Sequence, residues 1–373
     1  MKILVFGHMY TEPIHREKFQ YIAGREDFDI TVVAPVSWRH TLRKFYFTAK
    51  EGENFKAIPC KISLTGNYYL FFYNNISRII KQAAPDIIEI DQEPASLACH
   101  AIIRAAKRAH PAAKVVVWTS EDTVEKWKFP FSYFERYNLC KIDHIIACNS
   151  GAERLLRRKG YKGKISVFQM LGVNPEIFKP HDASKLKKTL GLDRKFVVGY
   201  VGRMVEGKGL FTLMRAVKSI EDAYLLLVGS GNLVPELLDF AKSSGIYDRV
   251  VYVSAVRHLD IPAYMNCMDV FVLPSEGTKS WQEKFGYVIP QAMCCKVPVI
   301  GSRNGGIPEV IKDAGLLFKP KDHAELALKL RSLKEDKVLA GMLAEKGRNR
   351  SLENFTVENI AGRIAGVYRE TIR

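Results

Sequence analysis

Apolar runs of strand length alternate with helix-length segments along the whole 373-residue chain. In the first half the runs are ILVFG (3–7), DITVVAP (29–35), DIIEID (86–91), KVVVWTS (114–120), DHIIACN (143–149) and ISVFQM (165–170). They are continuous and β-branched rather than alternating, as expected of strands buried on both faces of a parallel sheet. A helix is predicted over 94–109, with Pro94 suited to its first turn and Arg104, Lys107 and Arg108 to its last. Another begins at Ser150, where Glu153 completes a capping box. The alternation then repeats with FVVGYVG (196–202), AYLLLVG (223–229), RVVYVS (249–254), DVFVLPS (269–275), PVIGS (298–302) and GLLF (315–318). Asp322 with Glu325 caps a further helix, and 337–350 and 356–372 read as helical. Between the halves, 172–195 carries Gly172, Pro175, Pro180 and a lysine-rich stretch and is predicted as a linker. Two doubly wound α/β domains follow from this pattern. Such sheets bind ligands at the carboxyl ends of their strands, so a site in a cleft between the halves is expected.

Composition adds constraints. Hydrophobic residues make up 47% and charged residues 26%, a balance that excludes collagen-like, disordered and small disulfide-stapled classes. The longest charge-free stretch, 62–77, contains Thr, Asn and Ser and is too short to span a bilayer. The first residues read as a strand, without the ordered parts of a secretory leader, so a cytoplasmic location is expected. Net charge is +16, which favours anionic partners. Residues 1–172 hold 26 basic and 17 acidic side chains, so the excess is not one basic tail. Nucleic acid is set aside as a partner, because no helix-turn-helix, RRM, KH or zinc signature appears. The seven cysteines lack any C-x-x-C and sit mostly in apolar runs, which predicts reduced core residues.

Candidate chemistry concentrates in two segments. In FVVGYVGRMVEGKG (196–209) a buried strand ends at Gly202, Arg203 follows, and Lys208 opens the next helix. Glycines at 202, 207 and 209 let backbone approach a ligand closely, and the two cations suit one anion beside a helix start. The segment is neither G-x-G-x-x-G nor a P-loop. In WQEKFGYVIPQAM (281–293), Glu283 precedes a helix opening at Gly286, and Gln291 lies eight positions on. Glu283 can accept from sugar hydroxyls while the amides of Phe285 and Gly286 donate to anionic oxygens.

These segments, with LLLVGSG (225–231), DVFVLPS (269–275) and PVIGSRNGGIPEV (298–310), resemble in order those of the family 4 retaining glycosyltransferases, and GYKGKISVFQMLGVNPEIFKP (160–180) resembles the family's approach to its interdomain linker. The resemblance implies the GT-B fold. An acceptor-binding Rossmann-like domain would cover 1–174 with a returning helix at about 356–373, and a donor-binding one 175–355. It implies that Arg203 and Lys208 hold the donor diphosphate, that Glu283 contacts donor-sugar hydroxyls, and that Gly202, Gly229, Val256, Phe285, Gly286 and Gln291 line the donor site. Donors would be UDP- or GDP-sugars. Acceptors would be glycans, lipid-linked molecules or small molecules, and no metal or other cofactor would be needed.

The sequence departs from the family pattern in three places. Gln291 stands where a second acid is usual, keeping a carbonyl acceptor without the charge. The stretch WTSEDT (118–123) lacks the usual His, leaving Ser120, Glu121 or Asp122 in its place. Gly7-His8-Met9-Tyr10 replaces a glycine pair after the first strand. A nucleotide-sugar-binding pseudoenzyme and a sugar-nucleotide epimerase on the same fold are the alternatives these departures raise. Gly7, Tyr10, Arg16, Glu93 and Glu121 are candidates for the acceptor or donor-sugar side, with Glu12, Asp91 and Gln92 near them. His8, His15, His40 and His100 lack metal-ligand spacing and are expected to be surface or satisfied histidines. The segments 37–50 and 67–75 mix cations with aromatics, an arrangement suited to an acceptor platform at the anionic inner face of a membrane.

Overall fold

The computed structural model describes residues 1–25, 27–39, 44–278 and 281–373. The chain divides into two compact units, Met1–Gly172 with Val357–Arg373, and Val173–Thr356. The first unit holds a seven-stranded sheet: β1 (Lys2–Gly7), β2 (Asp29–Pro35), β3 (Lys56–Cys60), β4 (Ile87–Asp91), β5 (Lys114–Thr119), β6 (His144–Ala147) and β7 (Lys164–Val167). Their order is β7-β6-β5-β4-β1-β2-β3, and every pairing is parallel. The second unit holds β8 (Phe196–Val201), β9 (Ala223–Val228), β10 (Val250–Val253), β11 (Val270–Leu273), β12 (Val299–Ser302) and β13 (Leu316–Phe318), in the all-parallel order β10-β9-β8-β11-β12-β13.

The continuous apolar runs have the expected cause. In β1, Leu4 and Phe6 enter one core while Ile3 and Val5 enter another on the opposite face. A strand covered on both sides has no polar face to alternate with. Helix Val357–Ile372 covers the second of these cores through Ile360, Ile364 and Tyr368. Helix Leu97–Ala109 starts three residues later than expected and is capped by Ser96, whose Oγ accepts from Cys99 N at 3.1 Å. Asp322 Oδ1 accepts from Glu325 N at 2.9 Å and caps the helix that follows, as its spacing predicts.

Four local expectations are corrected. The strand β3 was not apparent in the sequence, because KAIPC is short and half polar. It pairs only with β2 at the edge of the sheet, where Pro59 is tolerated. The helix Ser150–Arg158 is capped by Asn149, whose side chain accepts from Ala152 N at 2.8 Å, rather than by Ser150. The predicted linker is not free chain: Val173, Phe178, Ala183 and Leu192 are buried in the core of the second unit. Three aromatics of the predicted platform also turn inward, although Tyr46 stays exposed. Trp38, Phe71 and Tyr73 are buried, with Trp38 and Phe71 ring centroids 4.7 Å apart. Apolar area gains more from that packing than from water. The middle of that platform, 40–43, lies outside the described residues, and His40 with it. All seven cysteines are unpaired; six are buried, and Cys140 is exposed.

Candidate active site

In the second unit, the loops after three adjacent strands, β8, β11 and β12, meet around Glu283. Glycines set the spacing between them. Gly209 has φ +70°, and a Cβ there would lie 1.9 Å from the Pro274 carbonyl oxygen; one on Gly305, at φ +52°, would lie 1.9 Å from the Glu283 carbonyl oxygen. Only a residue without a Cβ allows these approaches. Backbone bonds then lace the loops together. The Gly207 carbonyl accepts from Glu276 N at 2.7 Å and Gly277 N at 3.1 Å. Gly306 N donates to the Glu283 carbonyl at 2.8 Å, and Glu283 N donates to Asn304 Oδ1 at 2.9 Å.

Inside this frame, Lys208 Nζ pairs with Glu283 Oε2 at 2.6 Å, and Ser275 Oγ donates to the same oxygen at 2.8 Å. Both charged side chains are 12% exposed, sheltered but not sealed. The Trp281 ring lies beneath the ammonium, 4.6 Å from Nζ to the ring centroid. That cation–π contact gives the Lys208 ammonium a second partner besides Glu283. Trp281 was not apparent from the motif spacing; a lone aromatic two residues before an acid carries no signal until the loops are folded together. Arg203 is exposed, follows Gly202 directly, and has no ion-pair partner among the described residues. Its carbonyl accepts from Tyr200 OH at 2.8 Å, which fixes the backbone while leaving the guanidinium free. Burial, with the nearby Glu283 charge, keeps the Tyr200 hydroxyl protonated well above its ordinary range.

The remaining predicted donor residues separate by role. A Cβ on Gly229 would lie 2.0 Å from the Gly202 carbonyl oxygen, so the ends of β9 and β8 can approach only through glycine. Gly286 has φ +78°, and its helix begins two residues later, at Val288. The Phe285 side chain is buried against Phe355, centroids 5.6 Å apart, leaving only its backbone for a ligand. Val256 packs against the unit's core. Gln291 is buried on the inner side of helix Val288–Cys294.

The strand ends of the first unit have a different character. Gly7 closes β1, where a Cβ would strike the Tyr10 ring at 2.3 Å. Tyr10 and Arg16 are both fully buried. Arg16 donates to Glu53 Oε1 at 2.9 Å and to the carbonyls of Tyr10 and Thr48, each at 2.7 Å. These contacts correct the expectation that Tyr10 and Arg16 face a ligand: their polar groups are committed inside the unit. Lys18 Nζ donates to Tyr10 OH at 2.9 Å, and Tyr368 OH donates to Glu89 Oε2 at 2.5 Å. Burial pushes the Glu89 and Asp91 carboxyls upward, opposed by the Lys18 ammonium, while burial pulls Lys18 down.

Glu93 is also buried. It accepts from Thr119 Oγ1, from Ser120 N at 3.0 Å and from Ser120 Oγ at 2.9 Å. Burial nevertheless raises its carboxyl above the ordinary range. Glu121 Oε1 accepts from Thr123 N, Thr123 Oγ1 and Val124 N at 2.7–3.0 Å, organising the loop after β5. Asp122 Oδ2 accepts from Asn149 at 3.1 Å. His8 is buried between Trp38 and Tyr68, and its Nδ1 lies 2.5 Å from Gln92 Nε2. His100 stacks on Phe134 at 4.6 Å, a satisfied histidine as expected.

Comparison with known proteins places the chain. Residues 182–350 match the family described as glycosyl transferases group 1, and residues 23–175 match glycosyltransferase family 4. The chain belongs to glycosyltransferase family 4. It is 25% identical over 259 residues to the alpha-D-kanosaminyltransferase of Streptomyces kanamyceticus, covering 67% of this chain and 64% of the relative. It is 29% identical over 204 residues to the GDP-mannose-dependent alpha-(1-6)-phosphatidylinositol monomannoside mannosyltransferase of Mycolicibacterium smegmatis, covering 52% and 53%. The chain thus spans between about half and two thirds of the length of these curated relatives. HepE of Anabaena, solved with UDP, superposes with a TM-score of 0.78 at 21% identity over 99% of this chain and 100% of its own. That likeness shows the GT-B fold.

Proposed function

We propose that the chain is a retaining glycosyltransferase. It moves a hexosyl unit from a UDP- or GDP-sugar to a hydroxyl of a glycan, lipid-linked or small-molecule acceptor, without a bound metal. The observation that supports this most is the Lys208–Glu283 pair, held by Ser275 and Trp281 inside a frame of glycine contacts, with the Arg203 guanidinium unpaired beside it. An uncommitted cation and a sheltered carboxylate are what a ligand carrying both diphosphate and sugar hydroxyls requires.

In this reading the donor diphosphate takes Arg203 and Lys208, and Glu283 turns to the sugar hydroxyls. The acceptor oxygen bonds to the anomeric carbon from the leaving-group face as that carbon's bond to the diphosphate oxygen breaks. The acceptor proton passes to the departing oxygen, and the two cations neutralise the charge that grows on the diphosphate. Such contacts strengthen toward the transition state and lower its barrier. The M. smegmatis relative takes GDP-mannose and HepE was solved with UDP, so both bases stay in the proposal. The spread positive charge is assigned to an anionic acceptor or the anionic face of a membrane on which such acceptors lie. Among the described residues no helix is long and apolar enough to cross a membrane.

Screening UDP- and GDP-sugars by thermal shift, then following sugar transfer and release of the nucleotide, tests the reading. A stabilising donor that is turned over to an acceptor supports it. Tight binding without turnover on any acceptor would make the chain a pseudoenzyme, and a changed free sugar nucleotide would make it an epimerase. Sedimentation with anionic vesicles at low salt tests the membrane contact, which fails if no protein sediments.

A further inference from the structure

A groove of about 880 Å³ opens in the first unit between helices Phe131–Leu139 and Ser150–Arg158. The mechanism above makes no use of it. Its apolar wall includes Leu139, Ile142, Leu155 and Tyr161. Its charge is uneven: five cations line it against two carboxylates, Glu125 and Glu135. Both carboxylates are already matched. Arg158 pairs with Glu125 at 3.2 Å on the surface. Lys159 pairs with Glu135 at 2.6 Å, with the two side chains only 9% and 14% exposed. Lys126, Arg136 and Lys162 have no ion-pair partner among the described residues.

The groove also leads somewhere. Trp127, Glu135, Leu155 and Lys159 wall both it and a smaller pocket lined by Glu93, Thr119 and Glu121. Those residues stand at the carboxyl ends of β4 and β5, the end where parallel α/β sheets receive ligands. The sheltered Lys159–Glu135 pair thus lines both the cationic groove and this smaller, carboxylate-lined pocket.

We propose that this groove binds an amphipathic phosphate, its apolar chain along Leu139, Ile142, Leu155 and Tyr161 and its phosphate at Arg136, Lys126 and Lys162. Two physical requirements select that chemistry. Apolar surface gains from an apolar chain, which a free anion lacks. Three uncompensated cations attract a phosphate, which a neutral detergent or glycolipid lacks. The proposal rests on the glycosyl-transfer reading in one respect: it makes the acceptor a lipid-linked phosphate. Binding itself needs no donor and no turnover, so the two can fail separately.

The test is titration of the full chain with decyl phosphate at monomer concentrations, followed by calorimetry and by the fluorescence of Trp127, with Trp127→Phe as the control for the signal. Inorganic phosphate and decyl maltoside are titrated in parallel. Saturable binding of decyl phosphate is expected, at least tenfold tighter than either control. In a variant carrying Arg136→Glu and Lys162→Glu, two exposed positions, affinity should fall tenfold or more with an unchanged melting temperature. Four results would overturn the proposal: no saturable binding of decyl phosphate, equal binding of decyl maltoside, equal binding of inorganic phosphate, or unchanged affinity in the folded variant.

Discussion

The two units use the same part of the same architecture in opposite ways. Each collects charged residues at the carboxyl ends of a parallel sheet. In the second unit glycines at 209 and 305 bring backbone loops within reach of each other, and the charges they frame stay partly open: Arg203 is exposed and Lys208 is 12% exposed. In the first unit bulk fills that space. Tyr10 lies where a Cβ of Gly7 would be, Lys18, Glu89 and Asp91 are buried near one another, and Arg16 is buried against Glu53 and two carbonyls. Charge at a strand end is thus not enough to mark a ligand contact. In the function proposed above, it marks one where glycine leaves room and the charged groups stay partly open.

The largest effect that would test this contrast is on stability. Arg16→Ala removes a guanidinium bonded to Glu53 and two carbonyls, leaving a sheltered carboxylate unpaired. A loss of about 3–5 kcal/mol in urea unfolding is expected, with turnover per folded molecule within about threefold of the parent. Reduced turnover at full stability would instead return Arg16 to the ligand site and dissolve the contrast.

Next come Arg203→Ala and Lys208→Ala, each expected to lower turnover about a hundredfold or more. The melting temperature should stay near the parent's for Arg203→Ala and fall for Lys208→Ala, which leaves the sheltered Glu283 without its cation. Near-normal turnover in both would mean that the open cations do not serve the departing diphosphate.

A smaller effect concerns pH. Burial raises the Glu89 carboxyl, so the folded state holds this proton more tightly than the unfolded chain does. Its contribution to stability is complete below the ordinary carboxyl pKa of about 4.3 and is lost as pH rises through the raised folded value. Glu89→Gln keeps an acceptor for Tyr368 OH and removes the titration. Its stability should decline less than the parent's over that rise. Parallel pH curves for the two proteins would show that Glu89 does not titrate within the fold.

The smallest change is expected from Gln291→Glu, which restores an acid at a buried helical position. Activity should be retained or raised, with donor KM shifting less than about fivefold, because a charged hydrogen bond exceeds a neutral one by only about 1 kcal/mol. Abolished activity would assign Gln291 a different task.

Much of this was legible along the chain. The two-face burial of β1 and β8 shows as unbroken apolar runs. The capping Asp322 shows because its partner is three residues away. Arg203 and Lys208 stand out as candidates because glycine-flanked charge after a strand is a local signal, and Glu283 stands out through the resemblance of its segment to the family's motif. Such features depend on neighbours in sequence, where side-chain period, turn chemistry and caps are set by a few residues. What the tertiary structure alone decided involves partners far apart in the chain. Arg16 meets Glu53, and Glu89 meets Tyr368 across 279 positions. Trp281 comes to lie beneath Lys208, and two helices leave a cationic groove between them. Whether a charge is open or spent depends on what desolvates and bonds it, and that is fixed only when distant segments pack together.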